Sequence, residues 1–149
     1  MAGVTEALRV HRRVGIDSAL FIYHLEDAPH YSELAAELFM SLDSGTHQGV
    51  TSAFTLLEII VKPLRIGRPD IADEYERIIE QQPNLAIVDL TRDAIRRAAE
   101  LRATYGIRPP DAFQLAACLQ FGATVFVTSD LRLRSIRELE VVVLDDFIE

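Results

Sequence analysis

The chain has 149 residues, 49% of them hydrophobic, and 15 Lys and Arg against 23 Asp and Glu give a formal net charge of −8. That length and apolar content fit one compact domain and argue against a second. The acidic balance excludes capture of nucleic acid by overall attraction, so such a partner would need a local basic patch.

Residues 1–13 end in His11-Arg12-Arg13 and contain no long apolar run, so they do not resemble a secretory signal. They are expected to form a loose or accessory segment of a single domain spanning 1–149. No uncharged stretch approaches the roughly 20 residues of a membrane span, and a cytoplasmic location is the expectation.

Val14 to Ile16 reads as a first buried strand, ending at Asp17. Leu34, Ala35, Leu38, Phe39 and Leu42 recur at helical spacing within Tyr31 to Leu42, and Ser44-Gly45 closes that helix. Gln48 to Thr51 is a short strand. Thr51 or Ser52 then caps a helix carrying Glu58, which Pro63 ends or bends. Pro69-Asp70 opens a further helix with Ile71, Tyr75, Ile78 and Ile79 on one face and Pro83 beyond its end.

Leu85 to Val88 reads as another strand, after which Thr91 caps a helix with inward Ile95, Ala98, Ala99 and Tyr105 that stops near Gly106. Pro109-Pro110 starts the helix of Asp111, where the lone cysteine, Cys118, sits in an apolar pattern as an inert core thiol. One cysteine cannot form an intrachain disulfide or a thiolate zinc cluster. Thr124 to Thr128 is a buried strand, followed by a helical turn over Leu133 to Leu139 and a last strand from Val141 to Leu144. Strands alternating with helices imply an α/β fold, a parallel sheet of about four to five strands covered on both faces.

Four acids fall where such a fold presents chemistry. Asp17 and Asp130 follow strands, at the carboxyl edge where open parallel sheets bind ligands. Asp111 stands at a helix start, and Glu58 lies in the apolar stretch Phe54 to Ile60, a costly place for a charge without a partner. Two unit charges 4 Å apart repel by about 4 kcal/mol at an effective dielectric of 20, so four acids at one place call for a cation. Oxygen donors suit Mg2+ or Mn2+. Zinc fits poorly, since His11, His24, His30 and His47 form no ligand pair at helical spacing. Taken singly, three of the four acids also have an ordinary reading, since Asp111 caps a helix and Asp17 and Asp130 open turns, whereas Glu58, with apolar residues on nearly all sides, is harder to dismiss.

Taken together, Ile16-Asp17-Ser18, Thr51-Ser52 leading to Leu57-Glu58, Pro110-Asp111-Ala112 and Val127-Thr128-Ser129-Asp130 resemble the PIN domain, and more narrowly the VapC-like toxin ribonucleases of toxin–antitoxin pairs. The resemblance covers Val14 to about Phe147 and implies a three-layer α/β/α fold. It also implies that Asp17, Glu58, Asp111 and Asp130 bind Mg2+ or Mn2+ and activate water to cut an RNA phosphodiester, supported by the hydroxyls of Ser18 and Thr128. A homodimer and a cognate antitoxin, whose tail enters the acidic groove, are further implications. Ser129 stands where many relatives have asparagine.

Candidate backbone-binding cations are Lys62, Arg65 and Arg68 after the Glu58 helix, and Arg132, Arg134 and Arg137 after Asp130; the competing reading of each is ordinary solvated charge. The main alternative function is a catalytically silent PIN-fold module that binds RNA or protein. An aspartate-nucleophile phosphatase would need an acid where Ala19 stands. A phosphoacceptor receiver would need paired acids after the first strand, and the sequence has none there. A phosphate-loop enzyme would need a Gly-Lys-Ser/Thr sequence that is absent.

Overall fold

The computed structural model describes residues 3–148. Five parallel strands, β1 (Arg13–Ile16), β2 (Gln48–Ser52), β3 (Leu85–Val88), β4 (Val125–Thr128) and β5 (Glu140–Val143), form one sheet in the order β3-β2-β1-β4-β5. The register pairs Gly15 of β1 with Val50 of β2 and with Phe126 of β4. Parallel neighbours need helical crossovers, which cover both faces of the sheet and let the central strands be apolar on both sides. β4 is accordingly buried at all four residues.

The two faces make two cores. On one, Val14, Ile16, Val125 and Val127 pack with Leu20 and Phe21 of α2 (Ser18–Leu25), Leu38 and Leu42 of α3 (Ser32–Asp43), Ile59 of α4 (Phe54–Arg65) and Ile79 of α5 (Pro69–Glu80). On the other, Val50 and Phe126 pack with Ala98 and Leu101 of α6 (Arg92–Tyr105) and with Ala112, Leu115 and Ala116 of α7 (Pro109–Gln120). The fold is thus α/β/α, as the sequence pattern predicts. α7 lies so close to the sheet that a Cβ on Gly15 would sit 2.7 Å from Cys118 Sγ, so glycine is required there by close approach.

Several local expectations need adjustment. The segment before β1 is not loose: residues Val4–Ala7 form a helical turn, α1, and Val4 and Leu8 are fully buried. Thr5 donates from both N and Oγ1 to Glu37 Oε1, and the Leu8 carbonyl lies 2.9 Å from His47 Nε2. Pro63 lies inside α4, which runs on to Arg65. Thr51 does not cap α4, but Ser52 Oγ accepts from Phe54 N at 3.2 Å. Ile95 is exposed on α6, and Ile78 is partly exposed on α5. The turn placed at 133–139 is a 3-10 helix at Leu131–Ser135, and a second covers Leu144–Phe147, where the last strand was expected to finish. Among the described residues no helix is long and apolar enough to cross a membrane.

Candidate active site

β1 is the switch point of the sheet, with β2 on one side and β4 on the other. In open α/β sheets the crevice at the carboxyl ends of such strands is where ligands bind. Asp17 follows β1 directly and forms the N-cap of α2. Its carboxyl group is buried, and Thr128 Oγ1 at the end of β4 donates to its Oδ2 at 2.6 Å. Thr128 Oγ1 also accepts from Asp130 N at 3.0 Å, so one hydroxyl ties two strand ends together. Ser18 Oγ reaches Asp17 Oδ1 only at the long distance of 3.5 Å.

Burial pushes the Asp17 carboxyl up to about 6, and the nearby charges of Asp111 and Glu58 push the same way, against the Thr128 hydrogen bond. Glu58, one turn into α4 and half-buried, is also raised, first by burial and then by Asp111, while Ser18, Gln114 and Arg108 draw it back down. Asp111, in the first turn of α7, is buried and takes a bond from Arg108 Nε at 3.2 Å. These three acids feel one another, and none of their charges is cancelled by a buried base.

Asp130 behaves differently. Arg132 donates from its backbone N (2.9 Å) and Nε (3.0 Å) to Asp130 Oδ1 and from Nη2 (2.8 Å) to Oδ2, which holds the carboxyl below its usual range. The expectation that all four acids aim at one spot therefore needs correction. Among the described residues, no three His, Cys, Asp or Glu side chains come close enough together to hold a metal ion. The acids share one sheet edge, but two of them are engaged by arginines.

Below the acids lies a buried polar chain absent from the sequence reading. Gln114 is 1% exposed. Its Nε2 donates to Thr55 Oγ1 (2.5 Å), and its Oε1 accepts from Ser52 N (3.1 Å). Donor counting gives the rest its direction: Thr55 Oγ1 donates to Thr51 Oγ1 (2.7 Å), whose own proton goes to the Ile16 carbonyl (3.0 Å). β1, β2, α4 and α7 are thereby cross-linked beneath Asp17 and Glu58. The signal available in the sequence was a glutamine inside the apolar run Ala112 to Cys118. Ser129 Oγ lies 2.8 Å from Tyr23 Oη, which ties the Asp130 loop to α2.

Of the candidate backbone-binding cations, only Arg132 lies in a cleft with site acids. Together with Tyr105, Arg108, Asp111, Asp130 and Leu133 it lines a cavity of about 180 Å³. Lys62 pairs with Glu26 at 2.6 Å, Arg68 forks onto Asp70, and Arg134 pairs with Asp146. Arg65 is exposed in the last turn of α4, and the Arg137 backbone N donates to Tyr105 Oη at 3.1 Å. Arg108, which the sequence reading passed over, stands beside the acids instead.

The profile of the PIN domain matches residues 14–139, and the chain belongs to the PIN domain family. No curated protein matches it significantly. Among solved structures, DNA-bound VapBC from Salmonella typhimurium aligns with a TM-score of 0.67 at 16% identity, over 89% of this chain and 98% of that one. VapBC2 from Rickettsia felis, bound to a promoter DNA fragment, gives 0.66 at 15% identity over 87% and 97%. FitAcB from Neisseria gonorrhoeae gives 0.63 at 17% over 89% and 97%. At these identities the likeness is one of fold.

Proposed function

We propose that this chain is a divalent-metal-dependent endoribonuclease and the toxin of a toxin–antitoxin pair. The observation that carries the reading is the Asp17 carboxyl, buried, raised to about 6, and pushed there partly by two other acids at the same sheet edge. A fold gains no stability from such a group, whereas a site that receives a cation needs it. Family membership and the toxin–antitoxin complexes among the structural neighbours support the assignment.

The donor set is oxygen throughout, which fits Mg2+ or Mn2+. Asp17, Glu58 and Asp111, which stand too far apart in this structure to grip an ion together, are the residues that would draw in to hold it, with Asp130 joining once Arg132 lets go. A bound divalent ion lowers the pKa of water and stabilises charge on a phosphoryl oxygen. Thr128 fixes the orientation of the Asp17 carboxylate, and the Gln114 chain fixes the spacing of β1, α4 and α7 beneath it. The attacking oxygen comes from water in this reading, so selection of RNA rests on fit and contacts rather than on the 2′-hydroxyl as nucleophile. An antitoxin side chain bearing a guanidinium would neutralise the same carboxylates and so compete with the metal. A homodimer in the cytoplasm completes the proposal.

One observation favours a second reading, a catalytically silent PIN-fold module that binds RNA or protein: two of the four acids are already neutralised by arginines. Incubating purified protein with single-stranded and structured RNA in Mg2+, Mn2+ or EDTA separates the two. The nuclease reading predicts divalent-dependent cleavage that Asp17→Asn abolishes; equal cleavage by the variant, or binding without any cleavage, contradicts it.

A further inference from the structure

Arg108 is the N-cap residue of α7, three residues before Asp111, and Arg132 is two residues after Asp130. Arg108 reaches forward to Asp111 and Arg132 back to Asp130, both at the same small cleft. The exposures are lopsided: 61% for the Arg108 side chain against 10% for Asp111, and 69% for Arg132 against 20% for Asp130. The single contact of the exposed Arg108 with Asp111 adds little to stability and is released at little cost, whereas the bidentate Arg132–Asp130 fork yields only to a ligand that offers the same fork an equivalent pair of oxygens. A guanidinium fork fits phosphate oxygens as well as carboxylate oxygens. In a chain of net charge −8, an incoming polyanion needs positive groups at the acidic edge itself, and among the residues lining this cleft only Arg108 and Arg132 supply them.

We propose that Arg108 is a phosphate-binding residue held on Asp111 until needed, and that with Arg132 on Asp130 it forms a two-armed clamp for the backbone phosphates of the strand entering the site. The proposal rests on the nuclease reading and deepens it. Both arginines change partner: the carboxylates are released to a cation, and the freed guanidinium groups turn to phosphate. Arg108 is also near enough to Glu58 and Asp130, and Arg132 to Asp111, for their charges to be felt across the cleft. The same side chain therefore opposes a divalent cation and favours RNA.

That opposition of sign is the test. With Mn2+ alone, titrated calorimetrically into RNA-free protein, Arg108→Ala is expected to bind the ion several-fold more tightly than the wild type. With fluorescein-labelled single-stranded RNA in Ca2+, followed by anisotropy, the same variant is expected to bind about five- to ten-fold more weakly. Its slope of log affinity against log salt should fall by about 0.7, the share of one phosphate contact to a single strand. Arg108→Lys keeps the charge and loses the fork, so its slope should match the wild type while its affinity falls between the two. Arg77→Ala, which removes a surface pair with Glu74 on α5, should leave both affinities unchanged.

RNA affinity and salt slope unchanged in Arg108→Ala, while the wild type cleaves RNA, would overturn the clamp and leave the nuclease reading standing. Weakening of Mn2+ and RNA binding together would mark a structural role and overturn the clamp as well. A wild type that neither binds nor cleaves RNA would overturn both.

Discussion

Asp17→Asn should make the metal-free protein more stable while removing its activity. The folded-state pKa of about 6, against 3.8 for an ordinary aspartate, means that the native state holds this proton over a pH range where the unfolded chain has released it. Native protein then binds more protons than unfolded protein between about pH 4 and 6, so stability falls as pH rises through that window and levels off above it. At about 1.4 kcal/mol per pH unit, a rise of roughly two units amounts to about 3 kcal/mol of strain at neutral pH. Burial is the larger cause of that rise, and the charges of Asp111 and Glu58 add to it.

Asparagine carries no charge, its carbonyl can still accept from Thr128 Oγ1, and its amide can donate toward Asp111 or Glu58. A gain of about 2–3 kcal/mol is expected, or about 5–10 °C in Tm for a domain of this size. Urea titrations in EDTA at pH 4.5 and pH 7.5 measure it. The wild type should lose stability between those two values more than the variant does, and Mg2+ should restore stability to the wild type only. A variant no more stable than the wild type at pH 7.5, with the same pH profile, would refute the reasoning.

Three further outcomes follow from the packing. Thr128→Val removes the donor to Asp17 Oδ2 and the acceptor for Asp130 N, so it should cost about 1–3 kcal/mol in urea titration and slow RNA cleavage. Gln114→Leu strands the Ser52 N–H and removes the donor to Thr55 Oγ1, with an expected loss of about 2–3 kcal/mol by the same assay. Gly15→Ala drives a methyl group to 2.7 Å from Cys118 Sγ and 3.0 Å from Phe126, costing about 1–3 kcal/mol. Adding Cys118→Ala should recover part of that loss, and failure to recover any would place the clash elsewhere.

Much of the architecture was legible because buried parallel strands leave short apolar runs, as in Val125 to Val127, and because prolines and glycines punctuate the helices between them. The failures have physical causes. Pro63 sits inside α4, where the remaining ladder and its own burial outweigh the missing donor. Helical periodicity marks Ile95 as inward, but the groove between α6 and α7 leaves it exposed. The short α1 turn carries too few residues to announce itself, although Val4 and Leu8 complete a core.

At the site, the position of acids at strand ends was readable from topology, since the carboxyl edge follows from strand direction alone. The partners were not. Whether Asp130 faces an ion or Arg132, and whether Arg108 points at solvent or at Asp111, depends on side-chain directions that no spacing rule fixes. Gln114 was hidden because its partners Ser52 and Thr55 lie on β2 and α4, roughly sixty residues away in sequence.

The most direct measurement is cleavage of single-stranded RNA by wild-type, Asp17→Asn, Glu58→Gln and Asp111→Asn proteins, each assayed with Mg2+, with Mn2+ and with EDTA. The wild type is expected to cut only when a divalent ion is present, and all three variants are expected to lose about a hundred-fold or more despite intact folds. Cleavage that survives EDTA, or persists at the wild-type rate in all three variants, would contradict it.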